Sequence, residues 1–279
     1  PEDVALCAAA RRVVERVDWD CEVIRDFSDK NLGCGLRPAS GIDRVFEQVG
    51  EAVILEDDCV PDPSFFTYCD ELLERYRDDE RVMVVGGNNY LPHPDFEYSY
   101  TFHRFMNTHG WATWRRAWRR YDFHLTSWPE LRKAGRLESL LEDPRFSSFW
   151  RQIFDRLYVR SGTSDIWDFQ LHYALMACGG FGVAPCVNLV SHVHSSEEST
   201  HMPPGHYLLS IPTAPMPFPL AHPPEVTWDV DYDRKVFDAV FSNPDAPPTP
   251  LPHRMRRAAT ATIPLGVKRW ILNQRRHWA

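Results

Sequence analysis

The stretch "AVILEDDCVPDPSFF", residues 52–66, sets three carboxylates directly behind an apolar run. Glu56, Asp57 and Asp58 follow at once on Ala52-Val53-Ile54-Leu55. Adjacent like charges repel, so three of them at the end of a buried segment favour something positive between them. Hard divalent cations such as Mg²⁺ and Mn²⁺ take oxygen ligands, and one held here would relieve the repulsion and could hold a diphosphate. The plainer reading is a charged turn whose last acid, Asp62, caps the next helix.

Three further groups carry candidate chemistry. In "SDIWDFQ", Asp165 and Asp168 suit the N-cap and third position of a helix, where the helix dipole favours acids with or without catalysis. His192, His194 and His201 lie close in sequence. A His-x-His pair on a strand puts two imidazoles on one face, yet spacing supplies no further ligands for a zinc site. "NLGCGLRPASG" brings Asn31, Gly33, Gly35 and Arg37 into a connecting loop. Glycines there let backbone approach a nucleotide, and arginine pairs with phosphate or stacks on a base. The loop is neither a dinucleotide fingerprint nor a P-loop. Asn88 and Asn89, behind "VMVVGG", could bond sugar hydroxyls or simply make a turn.

These residues need a scaffold, and the first ninety residues supply an alternation. Ala5 to Val17 reads as an amphipathic helix, "DWDCEVIRDF" as a strand, "SDKNLGCGLRPASG" as a loop and "GIDRVFEQV" as a helix. "EAVILE" reads as a buried strand, Asp62 to about Arg75 as a helix opened by Pro63, and "RVMVVGGNNY" as another strand. That alternation predicts an α/β fold with a mostly parallel sheet flanked by helices. Beyond it, "LPHPDFEYSYTFHRFMNTHGWATWRRAW" has no clean period. Helices are expected over Glu130–Leu141, Pro144–Arg160 and "DIWDFQLHYALMAC", the last closed by Gly179-Gly180. "GFGVAPCVNLVSHVH" is strand-like, and the prolines between Met202 and Pro252 predict little regular structure.

Composition bounds the function. The 279 residues are 43% hydrophobic and 25% charged, as in an ordinary globular protein. A net charge of −8 argues against nucleic acid as a partner. Aromatics at 13% suit either a sugar or base site or a core. The seven cysteines are odd in number and lack zinc-ligand spacing, which predicts free thiols in a reducing, cytoplasmic setting. No apolar run of about 18 residues predicts a membrane span. After Asp245 there is no acid while arginines accumulate, and Ile263, Val267, Trp270 and Ile271 share a helical face. Such a tail could meet an anionic inner-membrane face peripherally, or be a solvated extension or a dimer contact.

Taken in order, "DKNLGCG", "ILEDDCVPDPSFF", "VVGGNNY", "HGWATW", "IWDFQLHYAL" and "VNLVSHVHSSEESTH" resemble the N-acetylglucosaminyltransferase I-like group of glycosyltransferase-A enzymes. The nearest likeness is to its bacterial relatives, the nucleotide-diphospho-sugar transferases. The resemblance runs from about Val4 to His201. It implies a glycosyltransferase-A (Rossmann-like) catalytic domain over 1–201, and composition adds a Pro-rich extension over 202–252 and a basic amphipathic tail over 253–279. It implies metal-dependent, inverting transfer of a sugar from a nucleotide-diphosphate donor to a hydroxyl acceptor. Asp58 would contact Mn²⁺ (or Mg²⁺) directly, with Glu56 and Asp57 facing the donor's ribose and sugar. Asn31, Gly33 and Arg37 would belong to the donor site, as would Trp111 in "HGWATW" by packing on the sugar ring. Asn88 and Asn89 would face the acceptor. Asp168, directly after Trp167, would be the general base, and His201 would approach the metal or diphosphate. A further strand is expected before Pro1, and without it the sheet would expose an edge. Two rival readings remain: a sugar nucleotidyltransferase, whose Gly-rich basic loop is not seen near the N-terminus, and a non-catalytic carbohydrate-binding protein, which would have no use for the acidic triplet with Asp168.

Overall fold

The computed structural model describes residues 2–91, 96–106, 108–160, 162, 164–192 and 211–241. By packing, Pro1–Leu32 form one unit and the chain from Gly33 another. The first unit holds helix α1 (Glu2–Val13) and then chain without regular structure. Arg11 donates to the Ser28 carbonyl at 3.2 Å and lies over the Phe27 ring. The strand expected at "DWDCEVIRDF" is not formed. A strand is stabilised by a ladder partner, none pairs with this segment among the described residues, and Val23, Ile24 and Phe27 stand exposed.

The second unit begins with α2 (Gly33–Gln48) and continues through β1 (Glu51–Ile54), β2 (Cys59–Pro61), α3 (Ser64–Arg75), β3 (Val82–Gly86), β4 (Tyr100–His103) and β5 (Trp111–Trp114). Short helices α4 (Arg115–Trp118), α5 (Trp128–Lys133) and α6 (Arg136–Leu140) lead to α7 (Pro144–Val159) and α8 (Asp168–Cys178). Strands β6 (Phe181–Pro185) and β7 (Val190–His192), then α9 (Val230–Val236) with a π-helical turn over Phe237–Phe241, complete the described elements.

The fold is α/β, and its main sheet corrects the expectation of mostly parallel strands. The order is β1-β5-β3-β6-β4, and among these pairings only β3 with β6 is parallel. The cause is two strands drawn from the stretch without a clean period, β4 and β5. β4 pairs antiparallel with β6 at one edge. β5 inserts between β1 and β3 and runs antiparallel to both, so β1, β3 and β6 still point one way. A separate two-stranded ribbon pairs β2 with β7, setting Cys59 opposite His192.

The aromatic content is mainly core. Six tryptophans, at 111, 114, 118, 128, 150 and 167, are buried. One cluster gathers Trp111, Trp150, Phe105 and Phe146 with α2 and α7, and the other packs Phe65, Tyr68 and Leu72 of α3 against Val85 and Phe102 of the sheet. Each fully buried large side chain contributes about 1.5–3 kcal/mol, which answers the composition question in favour of packing.

Other sequence expectations shift for local reasons. Gly33, Gly35 and Arg37 are not in a loop but in the first turns of α2. Pro38 lies inside the same helix, where it lacks an N–H for the i−4 carbonyl. The helix expected over 130–141 is split at Gly135, whose φ is +64°. Asp165 is not the cap of α8: the helix starts at Asp168 with Trp167 before it, and Ser164 Oγ takes the Ile166 N–H. The Pro-rich stretch holds α9, which buries Tyr232, Asp233 and Val236. Asp62 does cap α3, accepting from Ser64 N at 2.9 Å. Among the described residues no helix is long and apolar enough to cross a membrane. His194, His201 and the tail 253–279 lie outside the described residues.

Candidate functional site

The acidic triplet occupies the C-terminal end of β1 in a reverse turn, with Cys59 N donating to the Glu56 carbonyl at 3.1 Å. The turn carries the chain from the main sheet into β2. Pairing of β2 with β7 then brings His192 against it: Asp58 Oδ2 lies 3.7 Å from His192 Nδ1. That is an ion-pair separation, too long for a hydrogen bond. The His192 side chain is only 2% exposed, and neither ring nitrogen has a hydrogen-bond partner among the described residues. Leaving a buried imidazole without a hydrogen-bond partner is costly, so its ring nitrogens are candidate ligand atoms. His192 holds the Asp58 carboxyl below its ordinary value. Asp58, Cys59 and His192 offer an oxygen, a sulfur and a nitrogen within 4.8 Å of one another.

Around this group the chain is tightly fitted. The His109 ring stands edge-on to His192 with centroids 4.1 Å apart, and its Nδ1 meets Tyr90 Oη at 3.0 Å. Burial pushes His109 down to about 4, so it is neutral at neutral pH. Gly110, next in sequence, has φ +75°, and a Cβ there would come within 2.7 Å of Val190. Only glycine meets both demands.

The remaining acids face the same place. Burial, and then the charges of Asp58, Asp168 and Asp57, push Glu56 up to about 7. Asp168 therefore shares the field of the triplet from the first turn of α8. The start of α2 lies there too: a Cβ on Gly33 would be 3.7 Å from Asp165 Oδ1, and burial with the charges of Asp165, Glu56 and Asp57 raises the Cys34 thiol. Two helix N-termini, each a partial positive charge, thus lie near carboxylates: that of α2 near Asp165, Glu56 and Asp57, and that of α8 with Asp168 in its own first turn. Gly35 makes this approach feasible, since a Cβ would sit 2.3 Å from the Ser164 carbonyl oxygen.

Other candidate residues are placed differently. Trp111 is fully buried beside Ile54, with its ring stacked on Trp167 at 5.8 Å, and it presents no open face. Asn88 and Asn89 are buried and bind the loop after β3 to its neighbours: Asn88 donates to the Val190 carbonyl at 2.8 Å and Asn89 to the Pro185 carbonyl at 2.7 Å. Arg37 lies in the second turn of α2. Asn31 is exposed in the first unit. The sequence gives no signal for Cys59 or His109, and it leaves His192 without a partner, because these contacts come from strand pairing between distant segments. In comparisons with known proteins, the chain matches no family model and no curated protein.

Proposed function

We propose that this chain is a metal-dependent, inverting glycosyltransferase of glycosyltransferase-A fold, moving a hexosyl group from a nucleotide-diphosphate donor to a hydroxyl acceptor. The observation that carries the reading is a buried His192, without a hydrogen-bond partner among the described residues, set against Asp58 among Glu56, Asp57 and Asp168. A structural turn needs none of this. The placement also suits the rule that ligands of open α/β sheets bind beyond the carboxyl ends of strands, here the co-directional β1, β3 and β6.

Asp58 and His192 would hold a divalent cation, Mn²⁺ or Mg²⁺, with His201 joining by resemblance. When bound, such an ion neutralises charge building on the departing diphosphate. Glu56 and Asp57 would face the ribose and sugar. Asp168 would accept the proton of the acceptor hydroxyl as that oxygen attacks the anomeric carbon and the nucleoside diphosphate leaves. The N-termini of α2 and α8 favour the negative charge gathered there.

The test is incubation of the full chain with a panel of nucleotide sugars, Mn²⁺ and simple alcohol acceptors. Release of free nucleoside diphosphate that stops on chelation is expected. Pyrophosphate release would instead indicate a nucleotidyltransferase, and sugar binding without release a non-catalytic binder. Neither release nor metal-dependent nucleotide binding would overturn the reading.

A further inference from the structure

We infer that Asp58, Cys59 and His192 form a three-ligand site for a zinc-class divalent cation, which binds without nucleotide. This rests on the reading of Asp58 and His192 as cation ligands and adds Cys59. The geometry is the starting point. Asp58 sits between the other two, with Cys59 Sγ 3.8 Å from Oδ1 and His192 Nδ1 3.7 Å from Oδ2. Four-coordinate zinc, with bonds of about 2.0–2.3 Å, spaces its ligand atoms roughly 3.3–3.7 Å apart. The three donors, all within 4.8 Å, therefore need only small rotations to share one ion. Asp58 has room to make them, since its side chain is 51% exposed.

The scaffold holds two of the three in place. Cys59 and His192 are directly opposed residues of the antiparallel β2–β7 pair, so their side chains leave the ribbon on the same face. His192 is buried, and among the described residues neither ring nitrogen has a hydrogen-bond partner. The donor set then selects the ion. Carboxylate and water suit Mg²⁺ and Mn²⁺, whereas thiolate and imidazole suit Zn²⁺ and Co²⁺. A site of one oxygen, one sulfur and one nitrogen leaves the fourth position open to water or a ligand oxygen, the pattern of accessible rather than closed zinc sites. On binding, the Cys59 S–H bond breaks, a metal–sulfur bond forms and the proton passes to solvent. A zinc-class ion would then compete with Mn²⁺ for Asp58.

Cobalt(II) is the probe. Titrated into the reduced full chain without nucleotide, it should give intense visible bands of four-coordinate cobalt and a near-ultraviolet thiolate-to-cobalt band. Both should saturate at one ion per chain and be bleached by zinc. Cys59→Ser should lose the thiolate band, and His192→Gln should weaken binding by about tenfold or more. In the unaltered protein, zinc should protect Cys59 from alkylation, read by peptide mapping, so the outcome does not depend on a variant folding. A weak six-coordinate spectrum, a thiolate band that survives in Cys59→Ser, or alkylation of Cys59 unaffected by zinc would each overturn the inference. Mn²⁺-dependent nucleoside diphosphate binding by the unaltered protein is measured beside it. Cobalt binding without it leaves this site standing and removes the transferase reading, and the converse removes this inference alone.

Discussion

Gly35→Ala pits two known effects against each other. In a helix, replacing glycine by alanine ordinarily stabilises by about 0.5–1 kcal/mol, because glycine loses more backbone freedom on folding. At Gly35 the added Cβ would stand 2.3 Å from the Ser164 carbonyl oxygen and 3.3 Å from Ile166 N. Both are backbone atoms, so relief requires the start of α2 and the loop to part by roughly 1 Å, an overpacking that costs about 1–3 kcal/mol. The clash should win, leaving a net loss of about 1–2 kcal/mol. Gly41, in the same helix, is the internal control. A Cβ there would meet only the end of the Arg37 side chain at 3.8 Å, so Gly41→Ala should gain the ordinary increment. The two variants differ by about 1.5–3 kcal/mol and should therefore melt about 3–12 °C apart, at about 2–4 °C per kcal/mol for a chain of this class. Thermal unfolding followed by circular dichroism decides it. If Gly35→Ala is as stable as Gly41→Ala, the close approach of α2 to the loop before Asp168 is wrong.

Two other perturbations have definite signs. Asp233 is fully buried, accepts from the Arg104 and Phe105 N–H groups and from Trp228 Nε1, and burial nonetheless pushes it up to about 7. An acid raised in the fold binds more protons folded than unfolded between about pH 4 and 7, so its contribution to stability falls as pH rises through that window and is level above it. Asp233→Asn should lose about 1–3 kcal/mol near pH 5, because one donor would face an amide N–H₂, and its deficit should shrink toward about pH 8. Urea midpoints across pH measure this, and a deficit that grows with pH contradicts it. At the site, Asp168→Asn should lower turnover by about 10²–10⁴-fold while nucleoside diphosphate affinity stays near that of the parent. Asp165→Asn, whose residue caps no helix, should change turnover little, and the reverse order of effects would reassign the base.

Legibility in the sequence followed the range of the interactions. The strand end at Glu56-Asp57-Asp58, the cap at Asp62 and the helix closed by Gly179 are local patterns, and each is where the spacing puts it. The mixed sheet was hidden because β4 and β5 come from an aperiodic aromatic stretch, and β5 is buried on both faces, so no alternation marks it. The start of α2 was hidden because Gly33, Gly35 and Pro38 read as breakers, whereas Gly35 is needed for the approach to Ser164. Tyr232, Val236 and Phe237 do carry a helical spacing, but flanking prolines outweighed it. His192 was visible as a residue and invisible as a partner of Asp58, since only the β2–β7 register joins them.

In the proposed function, Asp58 holds the cation on which nucleotide binding depends. Calorimetry of a panel of nucleoside diphosphates, with and without Mn²⁺, against the full chain and its Asp58→Ala variant tests it most directly. Asp58 lies in a half-open turn, so the substitution should leave the unfolding transition near that of the parent. Binding by the parent is expected only when Mn²⁺ is present, and none by the variant. Metal-dependent binding of undiminished affinity in Asp58→Ala would contradict it.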